Sequence, residues 1–218
     1  MPFPTGARRV SDPAAATRLV RVAEPASPEG VVLVLHGGAA HGAPTPVSPT
    51  QLSVLRMVPV ARAVARAGRG RLAVYRLLNS YRGWDRRPTP VDDARRAMSA
   101  LADRFPGVPL GLVGHSLGGR AALLAGDAAG VRSVVALNPW LHRTDDVDLS
   151  GRRVLIVHGD QDRVASIEKS RGVARQLSRA AEVEFEVVPG GKHAMLGQRR
   201  EFDGRAAAFT AGVLLRGA

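Results

Sequence analysis

Ser116 stands at the centre of Gly114-His115-Ser116-Leu117-Gly118, a G-x-S-x-G pentapeptide that Gly119 extends. The apolar run Leu110-Gly111-Leu112-Val113 precedes it, and the helix-favouring Arg120-Ala121-Ala122-Leu123-Leu124-Ala125 follows. The serine therefore sits where a buried strand turns into a helix, the context that a nucleophile elbow requires. Such a turn is too tight for side chains two residues before or after the serine, so Gly114 and Gly118 are needed there, and Gly119 lets the helix approach the sheet. The turn projects the hydroxyl outward and puts the Leu117 amide at a helix N-terminus, where free N–H groups and the dipole favour a developing anion. A serine hydroxyl is a poor nucleophile near neutral pH and needs an adjacent base. Imidazole suits that task, because its unperturbed pKa is about 6.5. A carboxylate on the far ring nitrogen fixes the tautomer and stabilises the imidazolium, and two N–H donors stabilise the tetrahedral oxyanion.

The elements that must position these groups follow from periodicity. Residues 17–23 alternate and read as a first strand at a sheet edge. Residues 31–35 are a continuous aliphatic run of the kind buried on both faces of a parallel sheet, and 72–78, 110–113, 131–137 and 154–157 read as further strands. Residues 183–188 alternate. Helices are expected from the capping-box sequence Ser48-Pro49-Thr50-Gln51 to Gly68, with Val47 and Leu52 as a hydrophobic staple and either a kink or a break at Pro59. Others are expected over 89–105, from the elbow to Gly130, and over 166–180 and 200–215. Strand–helix alternation of this kind predicts a mostly parallel sheet with helices on both faces and its chemistry at the carboxyl ends of the strands. His36-Gly37-Gly38, Ser116, Trp140, Asp162 and His193 all fall at such ends.

In these motifs the chain resembles the α/β-hydrolase fold family over roughly residues 17–216. The features that carry the resemblance are His36-Gly37-Gly38, Gly114-x-Ser116-x-Gly118, Gly159-x-x-Asp162 and Gly191-x-His193, in the order Ser, Asp, His. Tyr81-Arg82-Gly83-Trp84 is a partial match to the family's Asp-x-Arg-Gly-x-Gly loop. The resemblance implies Ser116 as nucleophile, His193 as base and then acid, and Asp162 as its orienter. It also implies the Leu117 and Gly38 amides as the oxyanion hole, with Gly37 or Ala39 as alternatives to Gly38. Asp160 is the rival acid and is otherwise expected to stabilise its turn. Among the remaining histidines, His36, His115 and His158 abut strand ends and are expected to be packed or backbone-bonded, and His41 and His142 to be solvated. Only about a dozen residues separate the strands ending near 137 and starting near 154, which implies an open site without a lid domain. That is similar to small lidless carboxylesterases and to dienelactone-hydrolase-like members, although the latter typically use cysteine. Tyr81, Trp84, Trp140 and Met195 are the candidates to line a substrate pocket, and Arg82 either attracts an anionic substrate or braces its loop. The implied activity is cleavage of a small-molecule ester or thioester. Acyl transfer, perhydrolysis or a catalytically silent binding fold are the alternatives.

Composition agrees with one domain, residues 17–218, behind a Pro/Ala/Arg-rich arm at 1–16. The 218 residues carry a net charge of +12, with only Lys169 and Lys192 as lysines among 31 basic residues. The arginines are scattered and aromatic residues make up only 4%, so neither a basic tract nor stacking platforms point to nucleic acid. The longest aliphatic run, 31–35, is far too short for a bilayer, and no apolar segment follows the basic N-terminal residues, so a cytoplasmic protein without a membrane partner is expected. Zero cysteines exclude disulfides, thiolate metal ligands and cysteine catalysis. No H-E-x-x-H or phosphate-loop motif occurs, and no metal or cofactor is expected.

Overall fold

The computed structural model describes residues 18–38, 45–84 and 88–215. The expected N-terminal arm, His41 and Ala39 lie outside them. Seven strands form one sheet: β1 (Arg18–Ala23), β2 (Gly30–Leu35), β3 (Leu72–Leu78), β4 (Leu110–His115), β5 (Val131–Leu137), β6 (Arg153–Gly159) and β7 (Glu182–Val188). Their spatial order is β1-β3-β2-β4-β5-β6-β7. β1 runs antiparallel to β3 at the edge, and every other pair is parallel. The helices are α1 (Leu52–Ala67), α2 (Thr89–Arg104), α3 (Leu117–Leu124), α4 (Ile167–Leu177) and α5 (Arg199–Leu214).

Period-two alternation divides the core between the two faces of the sheet. Val31, Leu33 and Leu35 join Val91, Met98 and Leu101 of α2, Ala121 and Ala122 of α3 and Val173 of α4. Val32 and Val34 join Met57, Val60 and Val64 of α1 and Phe202 and Ala206 of α5. The chain leaves β2 toward β3 on one side and returns from β3 to β4 on the other. β2 and β4 are thus neighbours at a topological switch point, where the connections diverge and leave a crevice at the carboxyl ends. Between β5 and β6, residues 138–152 contain no helix or strand, so there is no lid domain.

Two local expectations fail for tertiary reasons. α1 starts at Leu52, with Gln51 as an N-cap that makes no side-chain cap bond. The Ser48 hydroxyl instead accepts from the Thr50 amide at 3.3 Å, closing a turn before the helix. Leu52 is 84% exposed and cannot staple Val47, which is buried with Val54 and Leu78. Pro59 lies inside α1 without ending it. α3 stops at Leu124 rather than near Gly130. Gly126 and then Gly130, at φ +80°, turn the chain into β5.

Candidate active site

Ser116 follows β4 directly and adopts φ +56°, ψ −120°, a conformation that side chains other than glycine rarely hold. The neighbouring glycines show why the turn can close. A Cβ on Gly114 would lie 2.1 Å from the Gly118 carbonyl oxygen. A Cβ on Gly118 would lie 2.5 Å from the carbonyl oxygens of Leu35 and His36 at the end of β2. The elbow thus presses its own backbone against β2 and brings Ser116 to the switch point. Ser116 is 8% exposed, so the hydroxyl meets a covered site rather than projecting freely into solvent.

Asp162 and His193 reach the same place from the carboxyl ends of β6 and β7. His193 Nε2 is 3.0 Å from Ser116 Oγ, and His193 Nδ1 is 2.8 Å from Asp162 Oδ2. The order Oγ, imidazole, carboxylate is a continuous hydrogen-bonded relay. The Asp162 side chain is fully buried, while that of His193 is 19% exposed. Asp162 Oδ1 accepts the Val164 and Ala165 amides at 2.8 and 2.9 Å. Its Oδ2 also lies 3.5 Å from His158 Nε2, which shares its proton with the Ala165 carbonyl at 3.2 Å. Burial alone would raise the Asp162 pKa. The hydrogen bonds from His158, His193 and the two amides outweigh it and hold the carboxyl well below the usual carboxylate range. Asp160, the rival acid, is exposed and accepts the Gly190 amide at 2.7 Å, bracing the base loop from its surface side.

The loop after β2 approaches the elbow. A Cβ on Gly37 would lie 3.1 Å from Ser116 Cβ, and one on Gly38 would lie 1.8 Å from the Arg82 carbonyl oxygen. Gly38 therefore needs to be glycine, a Cβ at Gly37 would require its neighbours to give by a few tenths of an ångström, and the Arg82 main chain packs against this loop. Leu117 is the first residue of α3, so its amide has no acceptor within the helix.

Two of the expected lining residues share a partner that the sequence did not reveal. Arg120 stacks on Trp84 with its guanidinium carbon 4.2 Å from the ring centre, and lies 5.7 Å from the Trp140 centre. Asp145 fixes the guanidinium through bonds of 2.9 Å to Nε and 2.7 Å to Nη2. Trp140 also donates its amide to the Ser116 carbonyl at 3.1 Å, and its ring meets His142 edge-on. His142 is therefore packed rather than solvated. Trp84, Trp140 and Tyr81 are all half-buried. Arg120 lies one helical turn past Ser116, which was the available signal. Asp145 had none, because its role depends on a loop that folds back.

Met195 is a correction. It was expected to line a pocket but has no exposed surface and belongs to the core that contains Met57 and Phe202. At φ +58° it turns the base loop inward and acts as its apolar anchor. Arg56 secures the same loop, donating Nε to the Ala194 carbonyl at 2.9 Å while pairing with buried Asp203.

His115 and His36 behave as packed histidines. The Nε2 of His36 accepts the Asn79 amide at 3.2 Å. His115 donates Nε2–H to the His193 carbonyl at 2.8 Å, and its buried Nδ1 has no partner. Burial first, and then the nearby His193, depress the His115 pKa to about 3. The unfolded chain therefore takes up a proton below pH 6.5 that the folded chain refuses, and stability falls as pH falls from 6.5 toward 3. Each pKa unit is worth about 1.4 kcal/mol, so the loss reaches the order of 4 kcal/mol. Burial lowers His36 too and adds to the same slope. The thermal midpoint should fall steadily between pH 6.5 and 4. His115→Gln, whose amide reaches as far as Nε2, should flatten that decline. An unchanged slope would show that His115 protonates freely in the fold.

Among the described residues no helix is long and apolar enough to cross a membrane, and no group of three metal-ligating side chains occurs. Residues 93–213 match the model of the alpha/beta hydrolase family. A search of curated proteins finds no match. Solved structures share the fold at low identity. An alpha-beta serine hydrolase homologue from Coxiella burnetii has a TM-score of 0.65 at 20% identity, covering 88% of this chain and 89% of its own. A serine hydrolase without a lid from Xanthomonas campestris gives 0.64 at 18%, covering 87% and 85%. Dienelactone hydrolase from Anabaena variabilis gives 0.66 at 18%, covering 91% of each chain.

Proposed function

The chain belongs to the alpha/beta hydrolase family, and on that footing we propose that it hydrolyses carboxylic esters or thioesters through an acyl-enzyme on Ser116. The observation that carries this reading is the relay of 3.0 and 2.8 Å from Ser116 Oγ through His193 to Asp162. Ser116 Oγ attacks the substrate carbonyl carbon as its proton passes to His193 Nε2. The carbonyl oxygen becomes an oxyanion facing the Leu117 and Gly38 amides. Collapse of the tetrahedral adduct breaks the bond to the alkoxide or thiolate, which leaves with the proton from His193. Water then repeats the sequence, giving its proton to His193, releasing the carboxylic acid and restoring the serine. Asp162 stays ionised throughout and holds the Nδ1–H tautomer.

The substrate is small and at least partly apolar on this reading, lined by Tyr81, Trp84 and Trp140. Exposed Val164 and Leu196 follow Asp162 and His193 closely in sequence, and exposed Leu52 and Leu55 begin α1 beyond the end of β2. Buried methylenes are worth about 0.8 kcal/mol each. For p-nitrophenyl esters, kcat/KM should therefore rise by up to about four-fold per added methylene from acetate to butyrate. Matched acyl thioesters place the leaving group on the same scale. Neither Asp162 nor His115 changes protonation above pH 4, so neither should contribute a limb to the pH profile of turnover there. Absence of turnover across the whole series, or two acidic limbs, would contradict the proposal.

A further inference from the structure

Asn138, the first residue after β5, is fully buried and adopts φ +42°. Its backbone amide continues the sheet, donating to the Val157 carbonyl at 2.8 Å. Its side chain leaves the strand and joins two loops. Oδ1 accepts the Gly159 amide at 2.8 Å, at the start of the segment that carries Asp162. Nδ2 donates to the carbonyls of Lys192 and His193 at 3.1 and 3.2 Å. Only one amide orientation fits, since the flipped group would set Oδ1 against two carbonyls and Nδ2 against an N–H. The second donor to the His193 carbonyl is His115 Nε2, so the base residue's main chain is held from two sides.

The two loops also touch nearby through main chain. A Cβ on Gly159 would lie 2.1 Å from the Gly191 carbonyl oxygen, which accepts the Gln161 amide at 3.0 Å. That contact lets the loops pack closely, and the Asn138 amide sets their register at the residue that bears the imidazole. We propose that Asn138 is a positioning residue for the reaction, fixing the separation of the acid and base loops so that Asp162 stays behind His193. The assignment rests on the Ser116–His193–Asp162 reading above. Asparagine meets both demands of the position. It is among the few residues that accept a left-handed backbone, and it carries a donor and an acceptor on one short side chain.

The test compares Asn138→Gly, which keeps the backbone conformation but removes all three side-chain bonds, with Asn138→Asp, which keeps the shape but sets an acceptor against two carbonyls. Both are assayed on p-nitrophenyl butyrate, well below each variant's thermal midpoint, in the native background and with Asp162→Asn. Loss of alignment should lower kcat by roughly 10- to 100-fold with KM within about two-fold. With Asp162→Asn the same replacements should cost less than about three-fold, because the carboxylate they align is already gone. Should one variant not fold, the other alone gives the same cycle. An unchanged kcat, or an equal loss in both backgrounds, would overturn the assignment. Fluorophosphonate labelling of the native protein keeps the two claims apart. No labelling at Ser116 would remove the proposed function itself, whereas normal labelling with indifferent Asn138 variants would remove only this inference.

Discussion

Ser116→Ala is expected to lower kcat for p-nitrophenyl butyrate by roughly 10⁵- to 10⁶-fold, because no other group can form the acyl intermediate. The fold should survive. Ser116 Oγ bonds the His193 Nε2, while the Ser116 amide and carbonyl continue to pair with Leu137, Arg120 and Trp140 through the main chain. Alanine also keeps the strain at φ +56°, so its thermal midpoint should stay within about 2 °C of the native protein. Glycine relieves that strain, which for a non-glycine residue costs on the order of 1–3 kcal/mol. Ser116→Gly should therefore be equally inactive yet melt roughly 2–12 °C higher. Calorimetry alongside turnover checks both. A midpoint that falls for glycine would show that the elbow is unstrained, and a variant retaining native turnover would place the nucleophile elsewhere.

Asp162→Asn is expected to lower kcat by about 10⁴-fold with little change in KM. The reason lies in which oxygen does what. Oδ1 accepts two backbone amides, so an asparagine there must keep its carbonyl oxygen on Val164 and Ala165. Its NH₂ then faces His193 Nδ1, the nitrogen that now donates. His193 is forced to carry its proton on Nε2, against the Ser116 hydroxyl it must deprotonate. The same NH₂ meets the proton of His158 Nε2, so the substitution also costs stability. Asp160→Asn, by contrast, alters only an exposed contact to the Gly190 amide and should leave kcat within about three-fold. Steady-state kinetics on the pair decides between the two acids. A loss under ten-fold for Asp162→Asn, with a larger one for Asp160→Asn, would exchange their roles.

What could be read from the sequence was whatever the local backbone dictates. The elbow was legible because Gly114 and Gly118 answer contacts made within a few residues or by the adjacent strand. The central strands were legible because burial on both faces leaves mostly aliphatic runs, of which Val31 to Leu35 is unbroken. The start of α1 was not: Leu52 and Val47 looked like a staple, but β3 supplies a better partner for Val47 in Leu78. Met195 was misread because a residue beside a catalytic loop can point either way, and only packing against Met57 and Phe202 decides it. Nothing in the sequence marks Asn138, since its partners are 21, 54 and 55 residues away. The Arg120–Asp145 pair, 25 residues apart, was hidden for the same reason. The residues of the Ser116–His193–Asp162 relay announce themselves by type and spacing, whereas the side chains that meet their loops depend on how distant segments come together.

The central claim is that the Ser116 hydroxyl is activated by His193 and Asp162. Its most direct test is mass spectrometry of the protein after brief exposure to a fluorophosphonate, which phosphonylates an activated serine with loss of fluoride. A single adduct is predicted, confined to the tryptic peptide from Phe105 to Arg120, absent from Ser116→Ala and at least about 100-fold slower to form in His193→Ala. A folded native protein that takes up no adduct, or takes it up on another peptide, would contradict the account.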